Sequence, residues 1–276
     1  MKDDGAAAPT AGAQVVRRAL AVLRIVAAAQ ERGVRVVDVV DATGLNRPTV
    51  HRLLQVLVEE GAAERDAATR RYLIGRDVSL MGLARSARFP IRSVAAPFLR
   101  ELSEREGDTS FLTIRNGDES VCLARHPGGY PIKVLSIEVG ARRPLGVGVS
   151  GLVLLADLPP EEVAAVMARN SRPLQALRLD IAAVAGRLEE TRRLGYAYAP
   201  VGVVPGTRAL AVPVRHPGGQ VLAGLAVTAI ADRLPAERLQ PLVQAMQQQA
   251  LGIAQQWAQR LRPRGPADNP ASAYSR

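Results

Sequence analysis

The amino-acid sequence predicts an α+β protein of two domains, a helical N-terminal domain that ends in a small β-hairpin and a larger C-terminal domain of mixed strands and helices. A length of 276 residues suffices for two domains with their own cores. Apolar residues recur at helical spacing up to Phe89-Pro90. From Thr109 onward the period shortens, and turn signals such as Asn116-Gly117 separate strand-like segments. Strands, then helices, then strands indicate an α+β domain and not a doubly wound Rossmann sheet.

Composition narrows the class of partner only weakly. A net charge of +10 and a pI near 10.8 suit a nucleic-acid partner, but the basic residues are spread over the whole chain. The lone Cys122 excludes an intramolecular disulfide, so we expect a reducing, cytoplasmic location. Its apolar flanks predict a small buried hydrophobe in a strand. No run of about 18 apolar residues occurs, which argues against a membrane partner.

The N-terminal domain begins with two predicted helices. The first has an apolar stripe that we expect to be buried, made of Val16, Leu20, Leu23 and Ala27. A shorter helical stretch, Val36–Thr43, is followed by Gly44, a residue suited to the left-handed conformation that ends a helix. A further helix after this turn would complete a helix-turn-helix, in which the second helix enters the major groove of DNA.

The segment Thr43–Glu60 supplies that helix. Its apolar residues fall at i, i+3, i+4 and i+7 and are Val50, Leu53, Leu54 and Leu57. The residues expected to face DNA, on the opposite side or at the N-terminal end, are Arg47, Pro48, Thr49, His51, Arg52 and Gln55. An ordinary αα-hairpin with a solvated charged face would show the same pattern, so this segment alone leaves both interpretations open.

A two-stranded hairpin is predicted directly after this helix. Ala62–Arg65 and Arg71–Ile74 can pair around the turn Asp66–Arg70, which is the arrangement of a wing. Arg65, Arg70 and Arg71 would then lie on the wing, with the last two at its tip, where they can contact phosphates or the minor groove. The wing favours DNA binding over the ordinary hairpin.

The elements of the C-terminal domain follow from periodicity and turn residues. A linker helix is predicted over 77–88 and a first domain helix over 93–107. The predicted strands are Ser110–Arg115, Glu119–Arg125, Pro131–Val139, Gly195–Ala199, Arg208–Arg215 and Val221–Ile230. The predicted helices are Ser150–Asp157, Pro160–Arg169, Ile181–Leu194 and Ala236–Leu261.

Residue patterns that carry chemistry are scarce. The three histidines lack the spacing of metal ligands, and no nucleophile elbow, phosphate loop or carboxylate pair occurs, so we expect neither an enzyme, a metal nor a cofactor. The glycine-rich run 146–151 precedes a helix and is interpreted as a loop lining a small-molecule cavity, with close backbone packing as the alternative. Arg142-Arg143 and Arg192-Arg193 are expected to be surface pairs.

The order of these pieces resembles the IclR family of bacterial transcriptional regulators over roughly residues 14–260. The motifs that carry the resemblance are VVRRALAVLRIVA, GLNRPTVHRLLQVLVEEG and RDAATRRYLIG in the first half, and RRPLGVGVSGLVLLADLP and GYAYAPVGVVPGTRALAVPVRHPGGQVLAGLAVTAI in the second. The resemblance implies a winged helix-turn-helix domain over 14–76, a linker helix over 77–91 and a GAF-like α/β effector-binding domain over 92–262. Residues 1–13 and 263–276 are expected to be disordered tails.

By the same resemblance the protein would be a homodimer, or a dimer of dimers, that binds palindromic double-stranded operator DNA and responds to a small organic acid. The effector contacts implied are Val149, Ser150, Gly151, Ala199, Ala209, Ala226 and Thr228. Alanine stands at three positions where some members carry acidic, cysteine and serine groups. The pocket is therefore expected to be less polar, and its ligand larger or more apolar, than in members that recognise very small acids.

Two other functions remain open at this point. An enzyme would need a nucleophile and base, which the sequence does not supply, whereas an architectural DNA-binding protein without an effector would need only a C-terminal domain packed without a cavity. The sequence leaves open the effector, the operator and target genes, the sign of regulation, and the choice between dimer and tetramer.

Overall fold

A computed structural model describes residues 13–135 and 137–261, without the side chains of residues 84–88. The chain divides into two compact units, residues 1–89 and 90–276. The tails expected to be disordered lie, apart from Ala13, outside the described residues. The fold class is confirmed, since a helix-turn-helix with a two-stranded hairpin precedes a mixed α/β unit built on a six-stranded sheet.

The first unit is helical except for its hairpin. Its elements are α1 (Gln14–Ala28), a 3₁₀ turn (Gln30–Arg32), α2 (Val36–Thr43), α3 (Arg47–Glu59), β1 (Ala63–Arg65), β2 (Tyr72–Ile74) and α4 (Arg76–Arg88). Val39, Val50 and Leu54 are fully buried where α1, α2 and α3 meet. Gly44 adopts φ 66° and ends α2, and Asn46 begins α3 by accepting a 2.9 Å hydrogen bond from the Thr49 N–H.

The buried face of α1 differs from the expected one. Val22 and Val26 are fully buried, whereas Val16 is 60% exposed and Leu20 45% exposed. The expectation was wrong because α1 carries apolar residues around much of its circumference, so spacing alone could not select the inner face. Large apolar side chains of α1 therefore also lie on its exposed side.

The second unit contains the large sheet and its covering helices. Its elements are α5 (Ile91–Glu106), β3 (Thr109–Asn116), β4 (Glu119–His126), β5 (Arg142–Pro144), α6 (Gly148–Ala156), α7 (Pro160–Ala176), α8 (Ile181–Leu194), β6 (Ala197–Ala199), β7 (Thr207–Arg215), β8 (Val221–Ile230), a 3₁₀ turn (Ala231–Arg233) and α9 (Ala236–Leu261). The strand order is β5-β4-β3-β8-β7-β6, and every neighbouring pair is antiparallel.

The two faces of this sheet are covered differently. Ser110 faces α5, because its hydroxyl donates a 3.0 Å hydrogen bond to the Leu99 carbonyl, and α9 packs beside α5. Phe111 faces the other way, into a cluster with Leu152 and Val153 of α6. Successive strand residues point to opposite faces, so the α6 face also receives the alternate residues of the neighbouring strands.

Two of the predicted elements are wrong, one in type and one in length. The described residues of the expected strand, 131–135 and 137–139, form a loop, and the pairing with β4 begins only where the Gly140 N–H donates to the Cys122 carbonyl at 2.7 Å. In this loop Val134 is buried and Ile137 packs against the core, whereas Ile132 is exposed, so the inward side chains do not alternate as in a strand. Helix α7 runs on to Ala176 because the buried Leu174 extends its inner face. The predicted bounds of α8, β8 and α9 are confirmed.

A pair of adjacent glycines tests the packing of this unit. A Cβ on the buried Gly128 would lie 2.2 Å from the Gly107 carbonyl oxygen, whereas a Cβ on the exposed Gly129 would meet nothing within 4 Å. We expect Gly128→Ala to lower the free energy of unfolding of this unit by about 2–3 kcal/mol, since backbone must move. Gly129→Ala is the control, with an expected change within about 0.5 kcal/mol. Urea unfolding followed by the fluorescence of Trp257 measures both, and equal midpoints would contradict the packing described.

Candidate functional site

Helix α3 carries a polar face opposite its buried stripe. Val50 and Leu54 fix the helix in the core of the first unit. Of the residues expected to face DNA, the half-buried one is Thr49 and the exposed ones are Arg47, Pro48, His51, Arg52 and Gln55. Within the described part of the chain, neither Arg47 nor Arg52 forms an ion pair, so both guanidinium groups are available to an anionic partner.

The hairpin after α3 is held by its own turn. Thr69 donates two 2.6 Å hydrogen bonds, from its hydroxyl and its N–H, to the Asp66 carboxylate, and these bonds hold the pKa of Asp66 below its ordinary value. Arg70 lies exposed at the tip with φ 60°, and the Arg65 guanidinium lies 5.5 Å from the centroid of the Tyr72 ring.

Arg71 is placed differently from the expectation. Its guanidinium is not at the wing tip but donates to the Gly33 and Arg32 carbonyls at 3.1 and 3.4 Å. These bonds join the wing to the connection between α1 and α2, so Arg71 braces the hairpin. Arg70 is the exposed arginine at the turn.

The second unit contains a cavity of about 370 Å³ between the sheet and helices α6 and α8. Small side chains line up across three strands of its floor. Ala209 of β7 pairs with Ala199 of β6 on one side and with Thr228 of β8 on the other. Ala226 lies in the next row, between Ala211 and Phe111. Each alanine leaves room that a larger side chain would fill.

Six of the seven residues expected to contact an effector line this cavity. They are Val149, Ser150, Ala199, Ala209, Ala226 and Thr228. The seventh, Gly151, lies against the backbone of the preceding loop, where a Cβ would be 3.2 Å from the Gly146 nitrogen. Both interpretations of the glycine-rich run therefore hold, since one part of it lines the cavity and another part allows close backbone packing.

The N-terminal turn of α6 forms one side of the cavity. Val147, Gly148 and Val149 all line it, and the helix starts without a side-chain cap. The first N–H groups of a helix have no intrahelical acceptor and form the positive end of its dipole. This end of the helix is therefore suited to a negatively charged group.

Two arginines that the sequence analysis did not assign to a site also line the cavity. Arg142 does form a surface ion pair, at 2.5 Å from Glu119, but the adjacent Arg143 points the other way into the cavity, as alternation on a strand requires. Arg187 reaches it from α8. Burial lowers the pKa of both Arg143 and Arg187, and both remain cations at neutral pH.

The character of the cavity follows from the rest of its lining. The apolar members outside the sheet include Ile137, Leu177, Leu179, Val201 and Val203, and the hydroxyl-bearing ones are Thr113, Ser120, Ser150, Thr207 and Thr228. No aspartate or glutamate belongs to the described lining. The cavity is thus largely apolar, and it is also positively charged, which was not expected.

Cys122 lies in β4 and lines the cavity, where burial raises the pKa of its thiol to about 11. Within the described residues, no group of three or more His, Cys, Asp or Glu side chains is placed to hold a metal ion. None of the described helices combines the length and the apolar character needed to cross a membrane.

Comparisons with known proteins match both units. The IclR helix-turn-helix domain model matches residues 15–67, and the model of the C-terminal region of the bacterial transcriptional regulator IclR matches residues 84–255. The HTH-type transcriptional regulator Rv1719 of Mycobacterium tuberculosis is 31% identical over 225 residues, which cover 81% of this chain and 82% of that protein.

Solved structures also resemble this chain over most of its length. The crystal structure of an IclR transcriptional regulator from Silicibacter sp. TM1040 has a TM-score of 0.75 and 29% identity, covering 88% of this chain and 96% of that one. An IclR homologue from Microbacterium hydrocarbonoxydans, complexed with 4-hydroxybenzoate, has a TM-score of 0.69 and 23% identity, covering 89% and 99%. The second comparison supports the fold.

The raised pKa of Cys122 predicts an unreactive thiol. At pH 8 we expect alkylation by iodoacetamide to be at least about 100-fold slower in the native protein than in urea, because the reactive thiolate is scarce. Cys122 is the single cysteine of the chain, so mass spectrometry of the intact protein counts the reaction directly. Glutathione in the same tube provides an internal reference. Comparable native and unfolded rates would show that the thiol is neither buried nor shifted.

Proposed function

Because the chain belongs to the IclR family of ligand-responsive bacterial transcriptional regulators, we propose that α3 and the wing bind double-stranded operator DNA and that the cavity of the second unit binds a small organic acid that controls this binding. The curated relatives are named as regulators or repressors, so the enzyme hypothesis is set aside. The observation that carries the proposal is the cavity of about 370 Å³. An architectural DNA-binding protein without an effector would have no use for it.

The surface of the first unit supports the DNA half of the proposal. The N-terminal end of α3 would enter the major groove, where Arg47, Thr49 and His51 are nearest to base edges and Arg52 contacts a base or phosphate. Arg70 at the wing tip would reach the adjacent backbone or minor groove. The core contacts of Val50 and Leu54 hold this surface in place.

Apolar surface on the same unit supports a homodimer. Val15 and Val16 on α1 are 64% and 60% exposed, and the exposed large residues of α4 are Leu80, Met81 and Leu83. Burial of such surface against a second copy is favourable, and a two-fold dimer matches a palindromic operator. We propose a homodimer that can pair into a tetramer. It would act in the cytoplasm, which contains the operator DNA.

The dimensions and charge of the cavity support an organic acid as effector. Ligand sites commonly have volumes of about 300–1,000 Å³ and mostly apolar walls with a few polar groups. A one-ring aromatic acid fits this description, and one structural relative was crystallised with 4-hydroxybenzoate. The acid would shift the dimer between states that fit or miss the operator, to an extent set by its differential affinity for the two states.

The DNA half of the proposal predicts the effect of Arg52→Ala. This change should weaken binding to the DNA upstream of the protein's own gene by about 1–3 kcal/mol, because a direct contact is lost. Fluorescence anisotropy with labelled duplex measures the affinity. Arg100→Ala, an exposed arginine on α5, is the matched control and should bind as the wild-type protein does. Binding by Arg52→Ala within twofold of wild type would contradict the docking of α3.

The ligand half predicts the effect of Ala209→Leu. The larger side chain fills the floor of the cavity, so the affinity for aromatic acids that stabilise the wild-type protein should fall at least about tenfold, or 1.4 kcal/mol. Thermal unfolding with increasing acid measures this, because a ligand stabilises only the state that binds it. Ala185→Leu on the exposed side of α8 is the control. An undiminished response in Ala209→Leu would place the ligand elsewhere.

A further inference from the structure

Arg187 is an unusual charged group of the second unit. It lies on α8 between Val184 and Leu188, whose side chains are buried in the core, and it reaches the cavity from this edge of the helix. Its Nη2 atom is shielded from solvent and has no hydrogen-bond partner in the part of the chain that the structure describes. Among the described residues this nitrogen thus lacks a protein acceptor, while the side chain as a whole lines the cavity.

This arrangement has an energetic cost. A buried polar group without a partner loses its hydration and gains nothing in return, and a charged group loses more. Among the residues that the structure describes, the exposed Glu190 one turn along α8 acts on Arg187 but does not form an ion pair with it. Burial consequently lowers the pKa of Arg187.

Other arginines of the same unit do have carboxylate partners. These pairs are Arg115 with Glu162, Arg142 with Glu119, Arg169 with Asp118, and Arg233 and Arg238 with Asp108. The unit therefore neutralises arginines where the chain itself supplies the acid. Arg187 has no carboxylate partner of this kind among the described residues, and it lines the cavity.

We propose that Arg187 is the specificity-determining anchor for the carboxylate of the organic acid that the cavity binds. This inference rests on the proposed function of the cavity. A carboxylate can accept two parallel hydrogen bonds from a guanidinium group, which matches its planar geometry better than an amide or a hydroxyl does.

The remaining lining fits such a ligand. The first turn of α6, from Gly148 to Ser150, offers N–H groups and a positive helix end to the same anion. Phe111, Val201 and Val203 supply apolar surface for the body of the ligand. Arg187 would thus select a ligand by its negative charge, and the alanines of the cavity floor leave space for its apolar body.

The test uses the full-length protein and three pairs of probes: benzoate, 4-hydroxybenzoate and phenylacetate, each beside its neutral carboxamide. Isothermal titration calorimetry is run on wild type, Arg187→Met, Arg187→Lys and the control Arg193→Met, which alters an exposed arginine on the same helix. Wild type should bind at least one acid about tenfold or more tighter than its amide. Arg187→Met should lose that preference, Arg187→Lys should keep part of it, and Arg193→Met should keep all of it.

A second readout separates an anchor from a structural residue. Without ligand, Arg187→Met should unfold at the same temperature as wild type or higher, because it removes a desolvated cation that has no partner. A lower melting temperature together with an unchanged preference for acids would assign Arg187 to folding and overturn the proposal.

The outcomes also separate the anchoring role of Arg187 from the proposed binding of an organic acid. If wild type and Arg187→Met bind an acid equally well, the cavity remains a ligand site and the anchor is wrong. If wild type prefers the amides, the acid class and the anchor are both wrong. If wild type binds none of the six probes, the proposed aromatic-acid effector fails, and the anchor fails with it.

Discussion

The antiparallel pairing of β3 with β8 is the contact on which the second unit depends. It joins residues 109–113 to residues 224–228, more than one hundred positions later in the sequence, and so makes a single sheet from the beginning and the end of the unit. The register of this pairing sets Phe111 opposite Ala226 and Thr109 opposite Thr228. Because side chains alternate along a strand, this one register decides which residues face α5 and α9 and which face α6.

The cavity is a consequence of that register. On the α6 face, the rows that cross the sheet contain Ala199, Ala209 and Ala226, which are too small to fill the space beneath the helix. The opposite face has large side chains such as Leu112, Leu210 and Leu225, which are fully buried. A densely packed face gives the unit its stability. The other face can then retain a cavity, with a helix N-terminus and two arginines in its wall.

The sequence predicted the elements well wherever their apolar pattern had one interpretation. The bounds of α8, β8 and α9 follow from clear periodicity and from caps such as Asp180, whose carboxylate accepts from the Ala182 N–H. The inner face of α1 was not predictable from spacing, because apolar residues such as Val16 and Leu20 also lie outside the buried face. Arg143 and Arg187 were missed because the inward direction of a charged side chain depends on strand register and helix packing, which are long-range contacts.

The central claim is that the cavity between the sheet and helices α6 and α8 holds an organic acid. Hydrogen–deuterium exchange of the full-length protein, with and without a saturating aromatic acid that binds it, tests this most directly. The account predicts slower exchange in residues 147–152, 184–191 and 199–209, and no change in α5 on the opposite face of the sheet. Protection confined to α5 and α9, or to the first unit, while these three segments exchange unchanged, would contradict it.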